Sequence, residues 1–131
     1  MRILVAEDER NLNRILTEAL TDEGYSVDPC FDGQEAWDAL ACAEYDVLVL
    51  DIMMPRMDGL ETCRRLREHD ELKDTMIVFL TALGEDEHQL TGFAAGADDY
   101  ISKPIKMHIL VSRLKAILKR IGAGDAALEG L

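Results

Sequence analysis

Positive charge is scarce in this chain: 14 Lys and Arg face 26 Asp and Glu, and the formal net charge is -12. Such a field repels a nucleic acid backbone and an anionic membrane surface, so neither is expected as a direct ligand. Cysteine is scarce too. Cys30, Cys42 and Cys63 form no C-x-x-C or other metal-like spacing, and an odd count argues against a secreted disulfide framework and for a reducing compartment. No apolar stretch approaches the roughly 18 residues of a membrane span. Met1-Arg2 passes directly into the short apolar run Ile3 to Ala6, without the pattern of a leader. These absences point to a soluble, cytoplasmic protein with no membrane partner.

What is present is an ordinary globular balance, 48% hydrophobic and 31% charged over 131 residues. That length suits one domain and excludes a two-domain enzyme. Short apolar runs rich in β-branched residues recur at Ile3–Ala6, Val47–Leu50 and Met76–Leu80, as expected for strands buried on both faces of a parallel sheet. A weaker run, Tyr25 to Cys30, carries Pro29, which cannot donate to a ladder and therefore belongs at an edge. Tyr100 to Ser102 marks the other edge.

Helical spacing fills the intervals. Leu12, Ile15, Leu16, Ala19 and Leu20 form the first helix, with Gly24 as its stop. Asp32 is placed as N-cap of a second, which carries Ala36, Trp37 and Leu40 on one face. Leu60, Cys63 and Leu66 with Arg67 pattern a third, and Leu90, Phe93 and Ala94 a fourth that Gly96 ends. Leu110, Leu114, Ile117, Leu118 and Ile121 form the fifth. Five strands alternating with five helices predict an α/β fold, a doubly wound five-stranded parallel sheet with right-handed crossovers. With Pro29 at one edge, the strand order 2-1-3-4-5 fits best. Residues 1–121 are assigned to this domain. Residues 122–131, with three Gly and three Ala, are read as a flexible tail or the start of a linker.

In such a sheet ligands bind beyond the carboxyl ends of the strands where their order reverses, here between strands 1 and 3. Glu7 and Asp8 follow strand 1, and Asp51 follows strand 3. Three convergent carboxylates raise one another's pKa unless a cation sits among them, and an oxygen-only donor set favours Mg²⁺. Thr81 ends strand 4, and Lys103 ends strand 5 immediately before Pro104. A hydroxyl, an ammonium and a divalent cation around one carboxylate suit in-line phosphoryl transfer, whose loose transition state needs positioning and charge neutralisation. Asp51, in the middle, is the natural nucleophile.

Five motifs in this order, each at a strand end, resemble the receiver domain of bacterial two-component response regulators. They are Glu7-Asp8, the run Leu50 to Pro55 with Met57 to Gly59, Leu80 to Ala82, and the run Gly96 to Pro104. The match covers Arg2 to about Ile121, and the Glu-Asp pair looks like that of the family's transcription-factor branch. The resemblance implies a flavodoxin-like fold and a phosphoacceptor switch, in which Asp51 takes a phosphoryl group from the phosphohistidine of a histidine kinase or phosphotransfer protein. It implies Mg²⁺ held by Asp8, Asp51 and the carbonyl of Met53, with Glu7 reaching the ion through water. Lys103 would pair with a phosphate oxygen, across a cis bond to Pro104. Thr81 would move its hydroxyl to the phosphoryl group and Tyr100 would rotate inward, switching the face of the fourth helix, fifth strand and fifth helix toward a downstream effector. Such a domain catalyses only its own phosphorylation and dephosphorylation. By hypothesis Met53 and Leu83 shield the acyl phosphate from water.

Two departures from the branch pattern fall on that face. Gln89 and Ile109 stand where the branch commonly has a basic and an acidic residue, leaving Asp99 and Arg113 of the interface charges. Alternatives from other classes are a receiver-like interaction module that is never phosphorylated, and a phosphohydrolase. The latter needs a second acid two residues after the nucleophile, where this chain has Met53. A plainer role for Glu7 and Asp8 is capping of the first helix. Trp37 is read as a packing residue, and His69, His88 and His108 as surface residues.

Overall fold

Strands buried on both sides need apolar side chains at odd and even positions alike, and the three central runs meet that demand. In the computed structural model, which describes residues 1–52, 59–69, 72, 74–81 and 96–129, they form the centre of a five-stranded sheet. The strands are β1 (Arg2–Ala6), β2 (Ser26–Cys30), β3 (Val47–Asp51), β4 (Met76–Thr81) and β5 (Asp99–Ser102). All four pairings are parallel, in the order β2-β1-β3-β4-β5. Pro29 stands opposite Val5 on β2, an edge strand, where its missing N–H costs no ladder bond.

The helices are α1 (Arg10–Asp22), α2 (Gly33–Cys42), α3 (Gly59–Glu68) and, after β5, α4 (Met107–Glu129). The helix expected over Leu90 to Ala94 lies outside the described residues, as do Met53, Leu83 and Gln89. Past Ile121, the Ala-containing stretch assigned to a tail or linker start continues the α4 backbone as far as Glu129. Alternate residues of each strand serve the two faces. Leu4, Leu48, Leu50, Ile77 and Phe79 pack with Ala36 and Leu40 of α2 and with Cys63 and Leu66 of α3. On the opposite face Ile3, Val5, Val47, Val49, Val78 and Leu80 pack with Leu16 and Leu20 of α1 and with Leu110, Leu114, Ile117 and Leu118 of α4. Among the described residues no helix is long and apolar enough to cross a membrane.

One position of the α1 stripe is corrected. Ile15 is 39% exposed, because Leu12, Leu16 and Leu20 already form an i, i+4 row against the sheet and the position beside them is taken by a polar residue, the fully buried Asn13. Helix boundaries follow local chemistry. Asp32 caps α2 by accepting from Glu35 N at 2.8 Å, while the Glu35 carboxylate accepts from Phe31 N at 2.8 Å. Gly24, at φ +96°, releases the chain from α1 into β2. Gly96 takes φ +106° ahead of β5. The Lys103–Pro104 peptide bond is cis.

Candidate functional site

Register decides what meets at the carboxyl end of the sheet. Ala6 is opposite Leu50 and Asp51 is opposite Leu80, so the chain leaving β1 runs beside the last residue of β3. Glu7 and Asp8 thereby reach Asp51, and one carboxylate oxygen from each of the three lies within 4.8 Å of the other two. Glu7 is fully buried, Asp51 is nearly so, and Asp8 faces solvent. The helix-capping alternative is not what the structure has: the N-cap of α1 is Glu9, with no side-chain cap bond.

Lys103, immediately after β5, extends its ammonium into this cluster. Its Nζ donates to Glu7 Oε1 at 2.6 Å and to Asp51 Oδ2 at 3.1 Å. Burial by itself works against the charged lysine, but the hydrogen bonds and charges of Glu7 and Asp51 outweigh it and raise the Lys103 pKa. Burial also dominates at Glu7, whose carboxyl is pushed up to about 8, with the neighbouring Asp51 adding to the rise and Lys103 opposing it. Glu7 Oε2 is buried without a hydrogen-bond partner. A single ammonium cannot balance three carboxylates. An orphaned buried oxygen within a hard, oxygen-only donor set therefore fits a divalent cation of the Mg²⁺ class.

Of the other residues singled out in the sequence, Thr81 closes β4 opposite Ser102 on the same edge of the sheet. Tyr100, expected to rotate inward on switching, is already buried, its ring 5.7 Å from that of Phe79. Arg113 of α4 holds Asp99 at 3.0 Å and also donates to the Tyr100 carbonyl at 2.6 Å. Ile109, by contrast, stands 37% exposed beside them. Trp37 packs partly buried against the α2–α3 side of the core, edge-on to His69 at 5.1 Å.

Two polar residues make contacts that periodicity does not assign, Asn13 beside the site and Arg67 at the opposite, amino-terminal edge of the sheet. Asn13 donates through Nδ2 to the carbonyls of Cys30 at 2.7 Å, Glu7 at 3.0 Å and Val5 at 3.4 Å. Its signal in the sequence is a polar residue three and seven positions before Leu16 and Leu20, inside an apolar row. Arg67 of α3 ties the segment before β5 to the start of β4, donating to Gly96 O at 2.9 Å, Thr75 O at 2.7 Å and Asp98 Oδ2 at 2.9 Å. Asp98 Oδ2 also accepts from Ile77 N at 2.8 Å.

Residues 3–115 match the family described as the response regulator receiver domain. Over 127 residues the chain is 45% identical to the response regulator MprA of Mycobacterium tuberculosis (strain ATCC 25618 / H37Rv), covering 97% of this chain and 54% of that protein. The chain thus spans about half the length of the curated relatives it matches. Among solved structures, the receiver domain of the Francisella response regulator 1452 superposes with a TM-score of 0.86 at 32% identity, covering 92% of this chain and 98% of that one. The chemotaxis response regulator CheY4 of Vibrio cholerae superposes with a TM-score of 0.85 at 30% identity, covering 88% and 97%.

Proposed function

The chain belongs to the response regulator receiver family, whose general function is phosphorylation on an aspartate, and from that premise we propose that Asp51 is its phosphoacceptor. The observation that carries this reading is the convergence of Glu7, Asp8 and Asp51 within 4.8 Å, with Lys103 bridging two of them.

An oxygen of the Asp51 carboxylate attacks the phosphorus of a phosphohistidine on a histidine kinase or phosphotransfer protein. The new P–O bond forms as the P–N bond breaks, the electron pair leaves with the imidazole, and Asp51 becomes an acyl phosphate. The Lys103 ammonium, now shared with Glu7, follows the negative charge onto a phosphoryl oxygen as a charge-assisted hydrogen bond. Asp8 and Asp51 would hold Mg²⁺ together with the Met53 carbonyl, and Glu7 would reach it through water. When bound there, the ion would supply neutralisation of the charge that gathers on the phosphoryl oxygens. The buried, otherwise unpartnered Glu7 Oε2 supports that assignment.

Receiver domains are not enzymes in the usual sense, and here the chemistry is the domain's own phosphorylation and dephosphorylation. The acyl phosphate carries about -1.5 to -2 at the end of β3, where the carboxylate it replaces carried a single negative charge. Thr81 moves its hydroxyl toward it, with Tyr100 held inward against Phe79, and the face of β5 and α4 carries the change to an effector. Free thiols at Cys30, Cys42 and Cys63 support a reducing, cytoplasmic setting.

The test is intact mass after incubation with acetyl phosphate, with and without Mg²⁺, beside Asp51→Asn. One added phosphoryl group that needs both Mg²⁺ and Asp51 is expected. An adduct that survives Asp51→Asn refutes the assignment.

A further inference from the structure

The three acids sit on two chain segments of different rigidity. Asp51 is the last residue of a central strand, whereas Glu7 and Asp8 lie in the connection between β1 and α1. Glu9 contributes no side-chain cap to that connection, and among the described residues no side-chain hydrogen bond holds Asp8. The backbone of that connection sets where the Asp8 Cα stands, and with it the reach of its carboxylate.

Asn13, in the first turns of α1, is fully buried, and its amide reaches back over the connection. Its Nδ2 donates to Glu7 O at 3.0 Å and to Cys30 O at 2.7 Å, with Val5 O at 3.4 Å. Cys30 O also accepts from Glu7 N at 3.1 Å. The N–H and the C=O of Glu7 are thus both tied, directly or through Asn13, to the last residue of β2. A peptide unit is planar, so fixing the Glu7 carbonyl fixes the Asp8 nitrogen and Cα with it. The amide has one workable orientation, because the reversed amide would face carbonyl oxygens with an oxygen, and its Oδ1 then accepts from Thr17 Oγ1 at 3.1 Å.

We propose that Asn13 is a positioning residue for the cation-binding acids: it locks the Glu7–Asp8 peptide to the end of β2 and so pre-forms the site, with the Thr17 hydroxyl anchoring the far end of its amide. The inference rests on the reading that Glu7, Asp8 and Asp51 hold a divalent cation. A fully buried amide spent on three carbonyls of two different strands and their connection has no comparable role in the packing of α1, whose apolar row runs through Leu12, Leu16 and Leu20.

Calorimetric titration with Mg²⁺ alone tests it on the whole chain, comparing wild type with Asn13→Ala, Thr17→Val and Leu114→Ala. Leu114 is buried against the sheet from α4, so its variant supplies a loss of stability away from the acids. Loss of a group that orients a ligand typically costs 10–100-fold in metal affinity, and Asn13→Ala is expected to weaken Mg²⁺ binding by about 10-fold or more. The phosphorylation rate with acetyl phosphate should stay within about twofold of wild type once Mg²⁺ saturates, because the missing interaction acts through the ion's site and not on the phosphoryl group. Thr17→Val should weaken Mg²⁺ in the same direction by a smaller factor, and it carries the test should Asn13→Ala not fold. Leu114→Ala should bind Mg²⁺ as wild type does.

Equal Mg²⁺ affinity in wild type and Asn13→Ala overturns the proposal while leaving the cation site intact. For an unfolded Asn13→Ala, equal affinity in wild type and Thr17→Val overturns it in the same way. Weakening by the same factor in Leu114→Ala also overturns it, since stability alone would then explain the effect. Folded wild type that binds no Mg²⁺ overturns the cation reading itself, and this inference with it.

Discussion

Gly24 and Gly96 both adopt positive φ, +96° and +106°, yet they should respond very differently to alanine. A Cβ at Gly24 meets nothing within 4 Å. Its cost is the backbone strain of an L-residue there, partly offset by the lower entropy of the unfolded chain, a net of about 1 kcal/mol. A Cβ at Gly96 falls 2.7 Å from Arg67 Cγ and 3.0 Å from Nε. Those atoms cannot swing aside freely, because the guanidinium is pinned to Gly96 O, Thr75 O and Asp98 Oδ2. Relieving the clash sacrifices charged hydrogen bonds, adding about 2 kcal/mol after allowance for the partial exposure of the group.

Gly96→Ala is thus expected to cost about 3 kcal/mol in all. In urea, with a slope of about 1.5 kcal/mol per M, the midpoint should fall by about 2 M for Gly96→Ala and by about 0.7 M for Gly24→Ala. The sharper measurement is the double-mutant cycle. In an Arg67→Ala background the Gly96→Ala penalty should shrink to that of Gly24→Ala, a coupling of about 2 kcal/mol. Equal midpoint shifts for the two glycines, or a Gly96 penalty unchanged by Arg67→Ala, would show that Arg67 does not constrain this turn.

Thiol reactivity offers a second check. Cys42 is exposed, whereas burial pushes the Cys30 thiol up to about 12 and the Cys63 thiol up to about 11. A disulfide reagent near pH 8 should therefore modify one thiol of the native protein and all three in urea, and a second fast-reacting native thiol would contradict the packing. At the opposite end of the sheet the Tyr45 hydroxyl donates to Asp28 Oδ2 at 2.7 Å, and together with Arg2 it lowers the Asp28 pKa. Because the folded pKa lies below the ordinary 3.8, this contact contributes stability above that pH, which is lost as the pH falls through the folded value. Tyr45→Phe should move the Asp28 titration, followed by carboxyl-carbon NMR, up toward 3.8 and abolish the part of the acid sensitivity that comes from Tyr45. An unmoved Asp28 would assign the shift to Arg2 instead.

The strands were legible because burial on both faces leaves its mark within a few consecutive residues. Ile3–Ala6, Val47–Leu50 and Met76–Leu80 are apolar at odd and even positions alike, and each lies within an observed strand. Pro29 identified the edge for an equally local reason, the lack of one donor. Helical periodicity was less exact. Ile15 satisfies the spacing rule and yet faces solvent, since a stripe says which residues are apolar and not which row meets the sheet. Asn13 is the complementary case, a polar side chain that periodicity would place outside and that tertiary hydrogen bonds hold inside.

The same division runs through the site. Local pattern alone put Glu7, Asp8 and Asp51 at strand ends, and the ordering of strands and helices then brought those ends to one edge of a parallel sheet. The partners of those acids came from far along the chain. Its place after the last strand had already put Lys103 beside Asp51, 52 positions away, whereas its second partner Glu7, 96 positions away, left no signal in the sequence. Full burial of Glu7, the rise of its pKa to about 8, and the grip of Asn13 on the end of β2 arise only once β1, β2, β3 and β5 are in register. Element type is a matter of neighbouring residues and their contact with water, and could be read along the chain. The pairing of Lys103 with Glu7 and the rigidity at the site depend on which segments crossovers bring together, and tertiary structure decided them.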